Sequence, residues 1–259
     1  MTAKNGFQLV ETDLPLLQYV YELRLATIEH LAALAGRSYK RTADRLAELE
    51  KRKYLACIAR RPHKHVYAIG REGVPLLIEQ GYAPRELADR RLRHNELKDL
   101  GIRHAVFIAD IHVKLLQLTR ARSFALSHWV EGQSLWDRVT TSANVTIPIR
   151  PDALFTITWP GGKGKAHFFL EADRGTIAHS RMREKVSGYA AYFQQQRHVK
   201  KYEGMKVFRV ATITETSGRA EGLAGEFRSM MPATWLPAYP VISFENLTLE
   251  RLMPELGQM

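Results

Sequence analysis

Three carboxylates sit in a pattern that suits divalent-cation chemistry. Asp152 lies in Arg150-Pro151-Asp152-Ala153-Leu154-Phe155, and Glu171 and Asp173 lie in Phe168-Phe169-Leu170-Glu171-Ala172-Asp173. Each run reads as a short apolar strand with acids at one end. Asp152 opens the first strand; Glu171 and Asp173 close the second. A hairpin about Gly161-Gly162-Lys163-Gly164 would bring all three to one edge of a sheet. Hard cations such as Mg²⁺ are held by one or two carboxylates together with water and substrate phosphate, so three acids at one edge could serve such a cation. The same acids would equally serve as salt-bridge partners of Arg150 and Arg174 at a charged hairpin end.

The elements that must position these acids occupy residues 101–259. An amphipathic helix is expected over His104 to Thr119 and strands over Ala125 to Val130, Val145 to Ile149, Leu154 to Thr158 and His167 to Leu170. A long helix follows from Ser180 to about His198, then a strand over Lys206 to Thr214, a helix over Ala220 to Met230 and a strand over Ala238 to Phe244. Such an order fits an α/β sandwich with helices flanking a central sheet. On the long helix Tyr189 stands four residues after Lys185 and Gln196 seven after Tyr189, which puts the three near one face. Tyr189 also suits the core.

The first 80 residues follow a different plan. Thr12 and Asp13 can cap a helix carrying Leu14, Leu16, Leu17, Val20 and Leu23; Thr27 can cap a second with Ile28, Leu31 and Leu34. Gly36 supplies a turn, and Ser38 opens a third helix to about Lys51. Two short strands follow, Tyr54 to Ala59 and Val66 to Ile69, joined by Arg60-Arg61-Pro62-His63-Lys64-His65. Together these look like a winged helix-turn-helix domain. From Arg37 to His65 ten Lys or Arg face three acids, a net +7 within a chain of +11. The start of the third helix (Arg37, Ser38, Tyr39, Lys40, Arg41, with Arg45 one turn on) holds residue types that reach bases and phosphates in a major groove. Arg60, Arg61 and Lys64 at the wing tip would meet the flanking backbone. Residues 81–100 alternate Arg and Lys with Glu and Asp, which suggests an exposed linker helix.

Composition narrows the classes. The chain has 259 residues, 45% hydrophobic and 25% charged, which excludes wholesale disorder. Its net charge of +11 favours a polyanionic partner, nucleic acid foremost, although membrane surfaces also attract cations. No apolar run reaches the roughly 20 residues of a spanning helix, and the polar start Met1-Thr2-Ala3-Lys4 lacks a signal-peptide core, so a cytoplasmic protein is expected. The single cysteine, Cys57, excludes an intrachain disulfide and a thiolate zinc cluster; a buried structural thiol is expected. Of the ten histidines, His63 and His65 alternate on the wing and His104 and His112 share a helix; none has zinc-site spacing, and solvated or DNA-facing roles are expected. Gly161-Gly162-Lys163-Gly164-Lys165 lacks the ending of a phosphate loop and reads as a hairpin tip that could touch DNA through Lys163 and Lys165. Trp129 and Trp136, which bracket Glu131 and Asp137, are expected in the core.

The second half resembles the restriction-endonuclease-like fold, whose pattern is Pro-Asp, a spacer, then Asp/Glu-x-Lys. Pro151-Asp152 and Glu171-Ala172 match, while Asp173 stands at the lysine position. In some relatives of that fold the lysine comes from the following helix, and Lys185 is the residue for that role here, with Arg174 its rival. The resemblance implies that Asp152 and Glu171 hold the metal, Asp173 assists, Lys185 orients water, and Asp110 is an outer carboxylate. Nearly the whole chain also resembles the replication-relaxation family of plasmids and other mobile elements. The winged helix, the helix from His104, Arg150-Pro151-Asp152-Ala153, Glu171-Ala172-Asp173-Arg174-Gly175-Thr176 and the Lys185…Tyr189…Tyr192 helix carry that resemblance. It implies DNA binding tied to replication or mobilisation, with DNA and the element's replication or mobilisation proteins as partners and room for a homodimer. The residues alone leave two functions open: a DNA-binding protein with an inactive nuclease-like second domain, or an Mg²⁺-dependent DNA endonuclease. A protein-binding adaptor accords least with the clustered positive charge.

Overall fold

The computed structural model describes residues 8–61, 64–84, 99–176 and 178–258. The chain divides into two compact units, 1–113 and 114–259, each with mixed helix and sheet. The linker helix expected over 81–100 lies mostly outside the described residues.

The first unit holds α1 (Asp13–Leu23), β1 (Ala26–Thr27), α2 (Ile28–Ala35), α3 (Tyr39–Lys51), β2 (Leu55–Arg61), β3 (Lys64–Ile69) and α4 (Gly73–Glu79). Local chemistry sets the boundaries. Thr27 accepts from the His30 amide while the His30 ring accepts from the Thr27 amide, closing a capping box at the start of α2. Gly36 ends α2 at φ 62°, where a side chain would be strained. The Ser38 hydroxyl accepts from the Arg41 amide and so caps α3. At α1 the expected Thr12 cap is absent; instead the Asp13 carboxylate accepts from the Val10 amide at 2.8 Å. The sheet runs in the order β1-β3-β2, all antiparallel, with a bulge between Cys57 and Ala59. Its two-residue strand β1 carried too little periodicity to be expected. Leu16, Leu17, Val20, Leu31, Leu46 and Leu49 are fully buried beneath it.

A longer helix, α5 (Asp99–Arg120), carries the unit boundary. Then come β4 (Ala125–Glu131), β5 (Asp137–Thr140), β6 (Thr146–Ile149), β7 (Ala153–Thr158), β8 (Lys165–Asp173), α6 (His179–Gln194), α7 (Arg197–Lys201), β9 (Arg209–Thr214), α8 (Ser217–Met230), β10 (Val241–Ser243) and α9 (Leu249–Leu252). The main sheet has the order β10-β9-β8-β7-β4. Strands β7 and β8 form the expected antiparallel hairpin, and β8, β9 and β10 run parallel. Strands β5 and β6 make a separate two-stranded sheet. On one face of the main sheet Leu154, Phe169 and Val210 pack with Val186, Tyr189 and Tyr192 of α6 and Leu223 and Phe227 of α8. On the other face Phe155 stacks on Phe168 at 4.8 Å and on Trp129 at 5.6 Å. The expected helix to His198 breaks at Gln196, which adopts φ 52°, so α6 ends before Gln196 can share a face with Lys185. No helix of the described residues is long and apolar enough to cross a membrane.

Candidate functional site

The alternation of β8 places Phe169, Glu171 and Asp173 on the face that α6 covers. Phe169 stacks on Tyr189 at 5.6 Å, and Glu171 follows two residues along the same face. Because Lys185 and Tyr189 are four apart on α6, both reach it. The Lys185 ammonium donates to one Glu171 carboxylate oxygen, and the Tyr189 hydroxyl donates to the other at 2.7 Å. Glu171 is 3% exposed.

Asp152 sits just before β7 and continues the hairpin ladder by one rung. Its amide donates to the Leu170 carbonyl at 2.9 Å, and its carboxylate accepts from the Ala172 amide at 2.7 Å. Asp173 ends β8, where it accepts from the Gly175 amide at 3.0 Å and from Arg219 of α8 at 2.6 Å. Gly175 has φ 75°, which this tight turn requires and a side chain would strain. Arg174 donates to Glu215 at 2.7 Å. Asp152, Glu171, Asp173 and Lys185 therefore fall in one electrostatic neighbourhood. Burial pushes the Glu171 carboxyl above its ordinary value, and nearby Asp152 adds to this, while Lys185 opposes it. Burial would push the Lys185 ammonium down, but Glu171, Asp152 and Asp173 together hold it above its ordinary value. Burial also raises the Tyr189 phenol far above its usual range, keeping it a donor.

A seat for Mg²⁺ would have to be built from these carboxylates. Two carboxylates are the right donor type, and one or two suffice when phosphate and water complete the shell. Here, however, each Glu171 oxygen already accepts a hydrogen bond, from Lys185 or from Tyr189, so a cation at Glu171 would have to displace the Lys185 ammonium. Among the described residues no group of three or more His, Cys, Asp or Glu side chains is placed to hold a metal ion. Formally Lys185 and Arg219 match Glu171 and Asp173, while Asp152 is held by a backbone amide, and Glu171 offers a cation no seat that Lys185 does not already hold.

A second group of candidates lies on α3. Tyr39 is half exposed, and Lys40 and Arg41 are exposed at the helix start behind the Ser38 cap. Arg37 donates to the Thr12 hydroxyl at 3.3 Å. Arg45 points elsewhere: its guanidinium donates to the buried Asp13 at 2.6 Å and to the Gln8 carbonyl at 2.9 Å. Hydrogen bonding to Asp13 raises its pKa further. The backbones of Arg60, Arg61 and Lys64 pair across the β2–β3 ladder, with Arg60 opposite His65 and Arg61 opposite Lys64. Their side chains, like the whole of Pro62 and His63, lie outside the described residues.

Several expectations need correction. Asp110 hydrogen-bonds His30 at 2.5 Å within the first unit. His112 is buried rather than solvated, and burial lowers its pKa to about 3. Cys57 is only half buried, its thiol donating to the Ala59 carbonyl at the bulge. Trp136 is exposed at 45%, with the Arg150 guanidinium 4.8 Å above its ring, so Arg150 serves a tryptophan. The Asp173–Arg219 pair was missed because its members are 46 residues apart and no local pattern links them.

No curated protein and no solved structure matches the chain at a significant level. A family model described as replication-relaxation matches residues 17–208. That match takes in α3 and both strands of the acidic hairpin, and the chain belongs to the replication-relaxation family.

Proposed function

We propose that the chain is a DNA-binding protein of a plasmid or similar mobile element, acting in replication, mobilisation or their control. In this reading the first unit is a winged helix-turn-helix, α3 is its recognition helix, and β2 and β3 are its wing. The second unit is a nuclease-like fold that binds or positions without cutting. The observation that carries the reading is the exposed cationic start of α3, where Tyr39, Lys40 and Arg41 face outward while Leu46 and Leu49 anchor the helix. Phosphate contacts of this kind give affinity that falls steeply with salt and carry little sequence information. Arg45 contributes by fixing α3 to α1 through Asp13 rather than by touching DNA.

The test is a duplex-binding titration of Lys40→Glu/Arg41→Glu at low salt. Affinity should fall at least tenfold, with a shallower salt dependence; unchanged affinity overturns the reading. A second arm incubates supercoiled and linear DNA with Mg²⁺ or Mn²⁺. Wild type should bind without cutting. Metal-dependent cleavage that is lost in Asp152→Ala would instead establish the endonuclease, with Asp152, Glu171, Asp173 and Lys185 as its residues.

A further inference from the structure

The main sheet has a second concentration of chemistry at the opposite end from Glu171. There β7 ends, β8 and β9 begin, and a cavity of about 400 Å³ opens between Trp159, Phe193, Phe208 and Trp235. Lys165 and Arg209 also line it. That volume falls in the range of ligand sites, roughly 300–1,000 Å³. Two of the aromatic walls remain open to solvent, Phe193 at 43% and Trp235 at 38%, and neighbouring Val207 is exposed at 63%. Arg209 is partly compensated by Glu255 at 2.7 Å. Lys165 is exposed, as is Lys163 in the turn that leads into β8.

Flat apolar walls beside exposed ammonium groups suit a ligand with a planar ring on an anionic chain. Single-stranded nucleic acid has this form: each base offers a face for stacking and each phosphate a charge for lysine. We propose that this cavity receives an unstacked base of single-stranded DNA, with Trp235 and Trp159 as stacking surfaces and Lys165 and Lys163 on the adjoining phosphates. The proposal rests on the DNA-binding reading above and extends it to a strand-separated substrate. Residue His167, two places into β8, is about 13 Å from Glu171 at the rise of an extended strand, so the cavity is distinct from the acidic cluster.

The experiment follows tryptophan fluorescence of the full chain with three probes of equal length: oligothymidylate, its abasic analogue and a duplex. Oligothymidylate should quench the emission and bind at least tenfold more tightly than the abasic strand. Trp235→Ala should erase that preference and leave duplex affinity unchanged, while Trp235→Phe should retain most of it; thermal melts verify that each variant is folded. Equal affinity for base-bearing and abasic strands overturns the proposal. So does an unchanged preference in Trp235→Ala and Trp159→Ala alike. Displacement of an apolar dye from the cavity by an apolar peptide, with no effect of any oligonucleotide, would assign the cavity to a protein segment instead. Loss of duplex binding in Lys40→Glu/Arg41→Glu with the oligothymidylate preference intact separates this site from α3. Binding of no probe by wild type would end both readings.

Discussion

The two ends of the main sheet are built on opposite principles. Where β8 ends, acids are buried and matched within the unit: Glu171 with Lys185 and Tyr189, and Asp173 with Arg219. Where β8 begins, aromatic rings and lysines stay exposed around a cavity. A buried charge must find its partner internally because desolvation is costly, whereas exposed apolar surface adds little to the fold and leaves rings accessible to a ligand. The difference teaches that the more reactive-looking residues can be the structural ones.

Mutations should divide the two ends by their effect on stability. The largest effect is expected for Lys185→Met, which leaves Glu171 buried and unmatched and should cost about 3–5 kcal/mol in urea unfolding. Adding Glu171→Gln should restore much of that loss; no restoration would break the comparison. The same pair has a pH signature. Lys185 is raised above its ordinary 10.5 in the folded chain, so its contribution is complete below that value. It is lost as pH rises through the higher folded value. Wild type should weaken along the alkaline limb, and Lys185→Met should show a flatter one.

Tyr189→Phe removes one hydrogen bond to a charged acceptor and should cost about 2 kcal/mol. A loss under about 0.5 kcal/mol would mean that the phenol does not hold Glu171, within the usual range for an unimportant change. Gly188→Ala tests how closely α6 lies on β6, since an added Cβ would stand 2.7 Å from Ile147 Cγ2 and 3.2 Å from Ile149 Cδ1. Ile147 is β-branched and yields little, so roughly 1–2 kcal/mol is expected in thermal melts. Trp235→Ala at the open end should change stability least, by under about 1 kcal/mol, and a larger loss would mark that end as structural too.

Much of this was legible in the residues themselves. Caps at Thr27 and Ser38, the turn at Gly36 and the hairpin from β7 to β8 each rest on neighbours in the chain, so local pattern suffices. Spacing also put Lys185 and Tyr189 on one face, and both meet Glu171. What pattern could not convey is pairing across long separations. Nothing near Asp173 signals Arg219, and nothing near Asp13 signals Arg45, yet those partners decide which charges remain for a ligand. The expected strand from Lys206 begins only at Arg209, because Met205 and Phe208 are drawn into the core with α6 and α7 before sheet pairing starts. The cavity likewise draws on six separate segments, and no single run of sequence announces it.

The mixed pairing of β8, antiparallel to β7 and parallel to β9, carries a last consequence. A strand enclosed on both sides could slide by one residue with modest loss if all its side chains were alike. In β8 such a slip would exchange Glu171 with Ala172 and turn a carboxylate away from its ammonium into hydrocarbon. The acidic triad thus works as a vernier mark for the whole sheet: only one alignment closes the charge, and with it the aromatic rings at the far end fall into place.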